Sequence, residues 1–245
     1  MLAVIGGSGL SQFSGLDQSH SIEVRTPYGE PSGPLTLGEI GGRPVVFLAR
    51  HGGEHRIAPH EINYRANLWA LKEQKPGGIV SIATVGGIRA DLRPGMLLLP
   101  DQILDYTWGR RSTYFEGEGA KVTHVDFTEP YSGRMRKRIA TAAAACGERV
   151  LDGGVYATTQ GPRLETAAEI DRLERDGADV VGMTGMPEAA LARELGLEYA
   201  AIAVIINPAA GRGESKHAIS LEQMHSVLEK AMQRVRRIIE ELAIQ

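Results

Sequence analysis

The chain has 245 residues, 42% hydrophobic and 23% charged, with 30 glycines; this is the composition of a globular protein able to bury a sizeable core in one domain. Its 27 basic and 30 acidic residues give a net charge of -3 with no dense Lys/Arg block, which argues against a nucleic-acid or anionic-membrane surface, so any bound anion must be met by a local site. Cys146 stands alone and so excludes an internal disulfide, and with no leader or membrane-length apolar run the expected location is cytoplasmic.

Leu2-Ala-Val-Ile5 reads as a short apolar strand running into Gly6-Gly7-Ser8-Gly9, a turn whose N–H groups, with the Ser8 hydroxyl, can converge on an anion. It lacks the third glycine of a dinucleotide fingerprint and the Gly-Lys-Ser/Thr of a P-loop. Residues 35–49 form a hairpin pattern turned at Gly41-Gly42. Its second strand ends at Arg50-His51-Gly52-Gly53, where an oxyanion clamp competes with a solvated Arg and a structural His. His51, His55 and His60 have an inviting spacing for zinc, but Gly52-Gly53 and Pro59 preclude a rigid ligand helix, and no metal is expected.

Residues 61–74 carry apolar positions at helical spacing, and 78–83 form a buried strand stopping at Thr84-Val-Gly86-Gly87. A strand over 96–99 precedes a polar and aromatic loop over 105–119, mobile or buried at a subunit contact, with His124 beyond it. A helix over 134–146 and a strand over 150–157 lead to a turn that opens a helix over 165–175, where Glu165 either stabilises the helix dipole or faces a ligand. Asp179-Val-Val-Gly182-Met183 is a strand, and Thr184 stands where the N–H groups of the next helix converge. The apolar run Tyr199–Ile206 suits a strand buried on both faces, and it ends at Asn207. Asn207 either opens a turn with Pro208 or points at a ligand beyond the strand's carboxyl end. The terminal helix starts at a Ser220–Gln223 capping box and turns Leu221, Met224, Leu228, Val235, Ile238 and Leu242 inward.

Gly6-Gly-Ser8-Gly, Arg50-His51-Gly, Ala83-Thr84-Val-Gly86, Gly182-Met183-Thr184 and Asn207 follow one another over nearly the whole chain. Together with Ile62-Asn63-Tyr64-Arg-Ala-Asn67 and Pro187-Glu188-Ala-Ala-Leu-Ala192 they resemble the trimeric purine nucleoside phosphorylase and methylthioadenosine phosphorylase family. The resemblance implies an α/β fold of phosphorylase/hydrolase type, a central mixed β-sheet flanked by helices, with residues 1–245 as one nucleoside phosphorylase domain. It implies a pentosyltransferase and a homotrimer, with inorganic phosphate as co-substrate, no other cofactor, and neither nucleic acid nor membrane as partner. Phosphate would be held by Ser8, Arg50, His51, Thr84 and Thr184, and Met183 would lie under the ribose. Leu164 takes the place of the family's base-stacking Phe.

Phosphorolysis needs an anchored anion beside the sugar and a hydrogen-bond donor at the departing purine, and His51 and Asn207 are expected to carry the catalysis. Relatives that accept adenine nucleosides have Asp at the positions of Asn207 and Ala209. Asn207 offers an amide N–H but no acid, and Ala209 offers nothing to a 6-amino group. Glu165 matches the carboxylate that accepts the ring N–H of a 6-oxopurine. At the 5' end Met224 and Val227 fall where ordinary purine nucleoside phosphorylases use a His, and His124 matches the His that a neighbouring subunit lends to an apolar 5' pocket. A 6-oxopurine selector joined to an apolar 5' pocket implies phosphorolysis of 5'-methylthioinosine. General inosine/guanosine phosphorolysis and methylthioadenosine phosphorolysis are the alternatives.

Overall fold

The computed structural model describes residues 1–10, 13 and 15–245; the side chain of Leu221, assigned above to the apolar face of the terminal helix, lies outside the described set. The strands are β1 (Leu2–Gly6), β2 (Asp17–Ile22), β3 (Leu35–Ile40), β4 (Arg43–Ala49), β5 (Ile79–Gly87), β6 (Leu97–Leu99), β7 (Gln102–Asp105), β8 (Leu151–Asp152), β9 (Val155–Thr158), β10 (Val180–Gly182) and β11 (Tyr199–Pro208). The helices are α1 (Tyr64–Glu73), α2 (Gly133–Ala145), α3 (Ala167–Arg175), α4 (Gly185–Glu194) and α5 (Leu221–Ile244). All the strands belong to one mixed sheet with the path β2-β3-β4-β1-β5-β10-β9-β7, and β11, β6 and β8 branch from β5.

Two apolar layers sandwich the sheet, which is why its central strands are unbroken apolar runs. Leu2 and Val4 of β1 pack with Val235 and Ile238 of α5 and Ile139 of α2. The alternate residues Ala3 and Ile5 pack with Leu68 and Leu71 of α1 and Leu191 of α4. β11 divides in the same way, with Ile202 and Val204 toward α5 and Ala201 toward α4. At about 25 cal/mol per Å² of apolar surface removed from water, this double coverage favours burying the run over any single-faced arrangement.

Several elements depart from the sequence pattern. The strand expected over 150–157 is divided at Gly153 and Gly154, whose φ of 95° and 144° turn the chain so that β8 pairs β6 while β9 pairs β10 and β7. β2 is an edge strand of exposed polar residues held by β3, and no alternation of its own announced it. The helix expected to begin at 165 begins at Ala167. Thr166 is its N-cap and Glu169 completes a capping box, so Glu169 fills the role considered above for Glu165. The stretch 105–119 is tied down at several points. Arg110 donates to the carbonyls of Met183 at 2.8 Å, Met186 at 2.6 Å and Gln160 at 2.8 Å, and the Tyr114 hydroxyl donates to the Arg65 carbonyl at 2.8 Å.

Candidate active site

The site is a gap in the sheet. On one edge of β5, β1 runs parallel to it and pairs as far as Ser81. β10 then arrives antiparallel and pairs with Gly86 and Gly87. Between those two partners the edge of β5 from Ala83 to Val85 faces a cavity of about 430 Å³. The carboxyl ends of β1 and β4 deliver Gly7-Ser8 and Arg50-His51 to one side of it, and the carboxyl end of β10 delivers Met183-Thr184 to the other. The sequence placed Thr84 at a strand end. It lies within β5, which runs on to Gly87, and it reaches the cavity because neither neighbour covers that stretch.

Gly7 permits the approach. A Cβ there would sit 2.4 Å from the Ile82 carbonyl oxygen and 3.0 Å from Arg50 Nη1, so only a glycine lets this turn lie against β5. Opposite, the pairing of β11 with β5 slips between Ile205 and Asn207. This bulge re-aims the strand end and turns Asn207 into the cavity. The Asn207 amide Nδ2 donates to the Pro208 carbonyl at 2.6 Å, leaving its second N–H and its oxygen for a ligand. Ala209 is 2% exposed and also lines the wall. Glu165 accepts the Thr159 hydroxyl at 2.6 Å from just outside α3, and Leu164, an exposed apolar side chain, stands at the rim.

Arg50 is not an open clamp. Its Nε donates to Glu188 Oε2 at 2.6 Å and its Nη2 to Glu188 Oε1 at 3.0 Å, while Ser81 Oγ and the Ile82 carbonyl take two further N–H groups. Of the five donors of a guanidinium, one on Nη1 remains for a ligand. Burial alone would weaken the hold of Arg50 on its proton, but the Glu188 carboxylate more than offsets this and its pKa is raised. Glu188, itself 0% exposed, also accepts the hydroxyls of Ser81 at 2.6 Å and Tyr199 at 2.8 Å. Its role was missed in the sequence. The only signal was a carboxylate between Pro187 and the apolar run Ala189–Ala192, on the first turn of the helix. Burial first, and the Arg50 charge second, lower the pKa of His51 from 6.5 to about 4. The Thr184 hydroxyl does not cap its own helix, because α4 is entered through an extended Met186; the hydroxyl is thus not consumed by the backbone.

Ser8, Arg50, His51, Thr84, Leu164, Glu165, Met183, Thr184, Asn207, Ala209 and Met224 therefore share one cavity. Val227 and His124 lie outside it. Val227 lines a neighbouring hollow of about 590 Å³ together with Met224 and Pro208. His124 stands in an exposed run, 118–126, on the surface of the chain. Ile57 and Ala58 join the wall without having been singled out, and so does His55, which the sequence had raised only as a metal ligand.

The fold and the site define an α/β protein whose cavity gathers hydroxyl, guanidinium, imidazole and amide groups from the strand ends of a mixed sheet. Residues 1–243 match the family model described as Phosphorylase superfamily, and the chain belongs to that superfamily. It is 52% identical over 234 residues, 96% of this chain and 94% of the relative, to a probable S-methyl-5'-thioinosine phosphorylase of Pseudomonas syringae pv. tomato. It is 46% identical over 220 residues, 88% of this chain and 82% of the relative, to the 6-oxopurine nucleoside phosphorylase of Pyrococcus furiosus. Among solved structures, methylthioadenosine phosphorylase from Schistosoma mansoni in complex with adenine superposes with a TM-score of 0.92 at 32% identity, covering 99% of this chain and 90% of that one.

Proposed function

We propose that the protein is a pentosyltransferase of the nucleoside phosphorylase type that cleaves S-methyl-5'-thioinosine with phosphate, giving hypoxanthine and 5-methylthioribose 1-phosphate. The observation that carries this reading is the pair Asn207 and Ala209 at the β11 bulge. They present an amide and a methyl group to the cavity in place of two carboxylates. Phosphate is held by the hydroxyls of Ser8, Thr84 and Thr184, the remaining N–H of Arg50, and His51. One of its oxygens attacks the anomeric carbon as the glycosidic bond breaks, and the sugar gains cationic character beside the bound anion. Negative charge builds on the purine, where Asn207 donates a hydrogen bond and Glu165 accepts the ring N–H. Met183 lies against the ribose, Leu164 covers the base, and Met224 offers an apolar contact to the methylthio group.

Residues 1–245 form one such domain in this reading. The active assembly is a cytoplasmic homotrimer, in which the exposed His124 serves a neighbouring protomer's 5' pocket, and Val227 backs Met224 from the adjoining hollow. Phosphate is the sole co-substrate. A second reading, general inosine/guanosine phosphorolysis, is favoured by His225, which borders a hollow shared with Ser8 and Met224 and could meet a 5'-hydroxyl.

Hypoxanthine release from methylthioinosine and from inosine, each with and without phosphate, tests the proposal. It requires phosphate-dependent release that is faster from methylthioinosine. Release without phosphate would make the protein a nucleosidase, and equal or faster turnover of inosine would establish the second reading.

A further inference from the structure

The ring of His51 is held in one tautomer. Its Nδ1 lies 2.8 Å from the carbonyl oxygen of Ile57, and because a carbonyl oxygen only accepts, Nδ1 carries the hydrogen. The residue is 7% exposed. Burial, reinforced by the charge of Arg50, lowers its pKa to about 4, which keeps the ring neutral near neutral pH. The other ring nitrogen, Nε2, then presents a lone pair. It has no hydrogen-bond partner among the described residues, and the ring forms part of the cavity wall beside Arg50. An oxyanion without a hydrogen would set lone pair against lone pair at this point, whereas one that carries an O–H would donate to it.

We propose that His51 makes the anion site selective for protonated tetrahedral dianions, its Nε2 accepting the P–OH of hydrogen phosphate, so that hydrogen phosphate and hydrogen arsenate are admitted and sulfate is discriminated against. This rests on the reading of the cavity as a phosphate site. Bulk charge does not override the selection, because each arginine of the wall is already paired, Arg50 with Glu188 and Arg56 with Glu54. The selection also orients the nucleophile. With the protonated oxygen parked at His51, the three oxygens without hydrogen face the hydroxyl donors and the sugar, and the oxygen that attacks carries no proton. A site built only from donors would bind sulfate and phosphate alike, since the two have the same shape and, at mildly alkaline pH, the same charge.

The test compares anions on the unmodified enzyme at mildly alkaline pH and constant ionic strength. Phosphate and arsenate are assayed as co-substrates by base release, and sulfate as a competitive inhibitor against phosphate. Sulfate is expected to bind about ten- to a hundredfold more weakly than phosphate, the loss associated with an unmatched buried acceptor, while arsenate supports turnover. Sulfate binding within about twofold of phosphate would overturn the proposal. In His51→Gln, whose side-chain amide can turn a donor to the anion, the preference for phosphate is expected to collapse toward parity. A preference that survives that substitution in folded protein would also overturn it. Should the variant not fold, the 15N resonances of the His51 ring in the unmodified protein decide: Nε2 must be unprotonated, and its resonance must move with phosphate. A protonated Nε2 contradicts the proposal. Base release that ignores phosphate altogether would instead remove the phosphorylase reading on which the selection depends, an outcome distinct from equal binding of the two anions.

Discussion

Replacing Asn207 by Asp turns an amide donor into a carboxylate at the point of the cavity wall proposed to meet the base. In the native site the Asn207 amide donates to the Pro208 carbonyl at 2.6 Å, which leaves a second N–H for the purine in the proposed reaction. An ionised carboxylate in the same place loses both donations and sets an oxygen against the Pro208 carbonyl. The lost donation to the purine has a net value of about 1 kcal/mol, and a carboxylate set against the electron-rich departing base costs about as much again, so the transition state for a 6-oxopurine loses about 2 kcal/mol, roughly a thirtyfold fall in kcat/KM. Lowering the pH restores part of the activity, because a protonated carboxyl can donate again. Asn207→Leu, which removes the donors without the added lone pairs, is expected to fall about tenfold and to show no such recovery. Adding Ala209→Asp moves the preference toward adenine nucleosides. Ala209 is packed among Ile88, Ala157 and Val181, so a carboxylate there costs stability and the ratio of substrates, not the absolute rate, is the quantity to read. Steady-state base release from methylthioinosine and methylthioadenosine provides that ratio. Activity of Asn207→Asp within about twofold of native, with an unchanged ratio, would show that Asn207 does not read the base.

Gly7→Ala would drive its new methyl to 2.4 Å from the Ile82 carbonyl, prising the β1 turn from β5; a loss of about 1 to 3 kcal/mol in stability and a raised KM for phosphate are expected, measured by urea unfolding and phosphate titration. Glu188→Gln leaves Arg50 buried without its counter-charge and is expected to cost about 3 to 5 kcal/mol in the same unfolding assay, with the KM for phosphate raised more than that for the nucleoside. Because the folded chain holds the His51 proton more weakly than the unfolded chain, with a pKa of about 4 against 6.5, the unfolded state gains protons first as pH falls. Stability should therefore drop from about pH 6.5 down to about pH 4, by as much as about 3 kcal/mol from this group. His51→Gln should flatten that part of the native profile, and identical profiles would refute the assignment.

The strand ends were legible because a strand buried on both faces must be apolar along its length, so its polar or glycine-rich end stands out, as at Gly6-Gly7, Arg50-His51 and Asn207. What sequence could not convey was which edge of which strand is left uncovered. Thr84 faces the cavity from within β5 because β1 stops pairing at Ser81 and β10 starts at Gly86, an arrangement made by strands distant in sequence. The same limit hid the partner of Arg50. Its carboxylate is 138 residues away on α4, and only the fold shows that most of the guanidinium is already engaged. β2 escaped notice because an exposed edge strand needs no apolar alternation. Val150–Ala157 looked continuous because the conformations that divide it belong to Gly153 and Gly154, residues that carry no side-chain pattern.

The central claim is that Asn207, Ala209 and Glu165 choose a 6-oxopurine. It is tested most directly by the ratio of kcat/KM for methylthioinosine to that for methylthioadenosine at saturating phosphate. The two substrates share the sugar and differ at the purine 6-position, so the ratio isolates the contacts at the strand end. A preference of at least about tenfold for methylthioinosine is predicted, the cost of one unmatched polar group at the base. Equal or faster turnover of methylthioadenosine would contradict it.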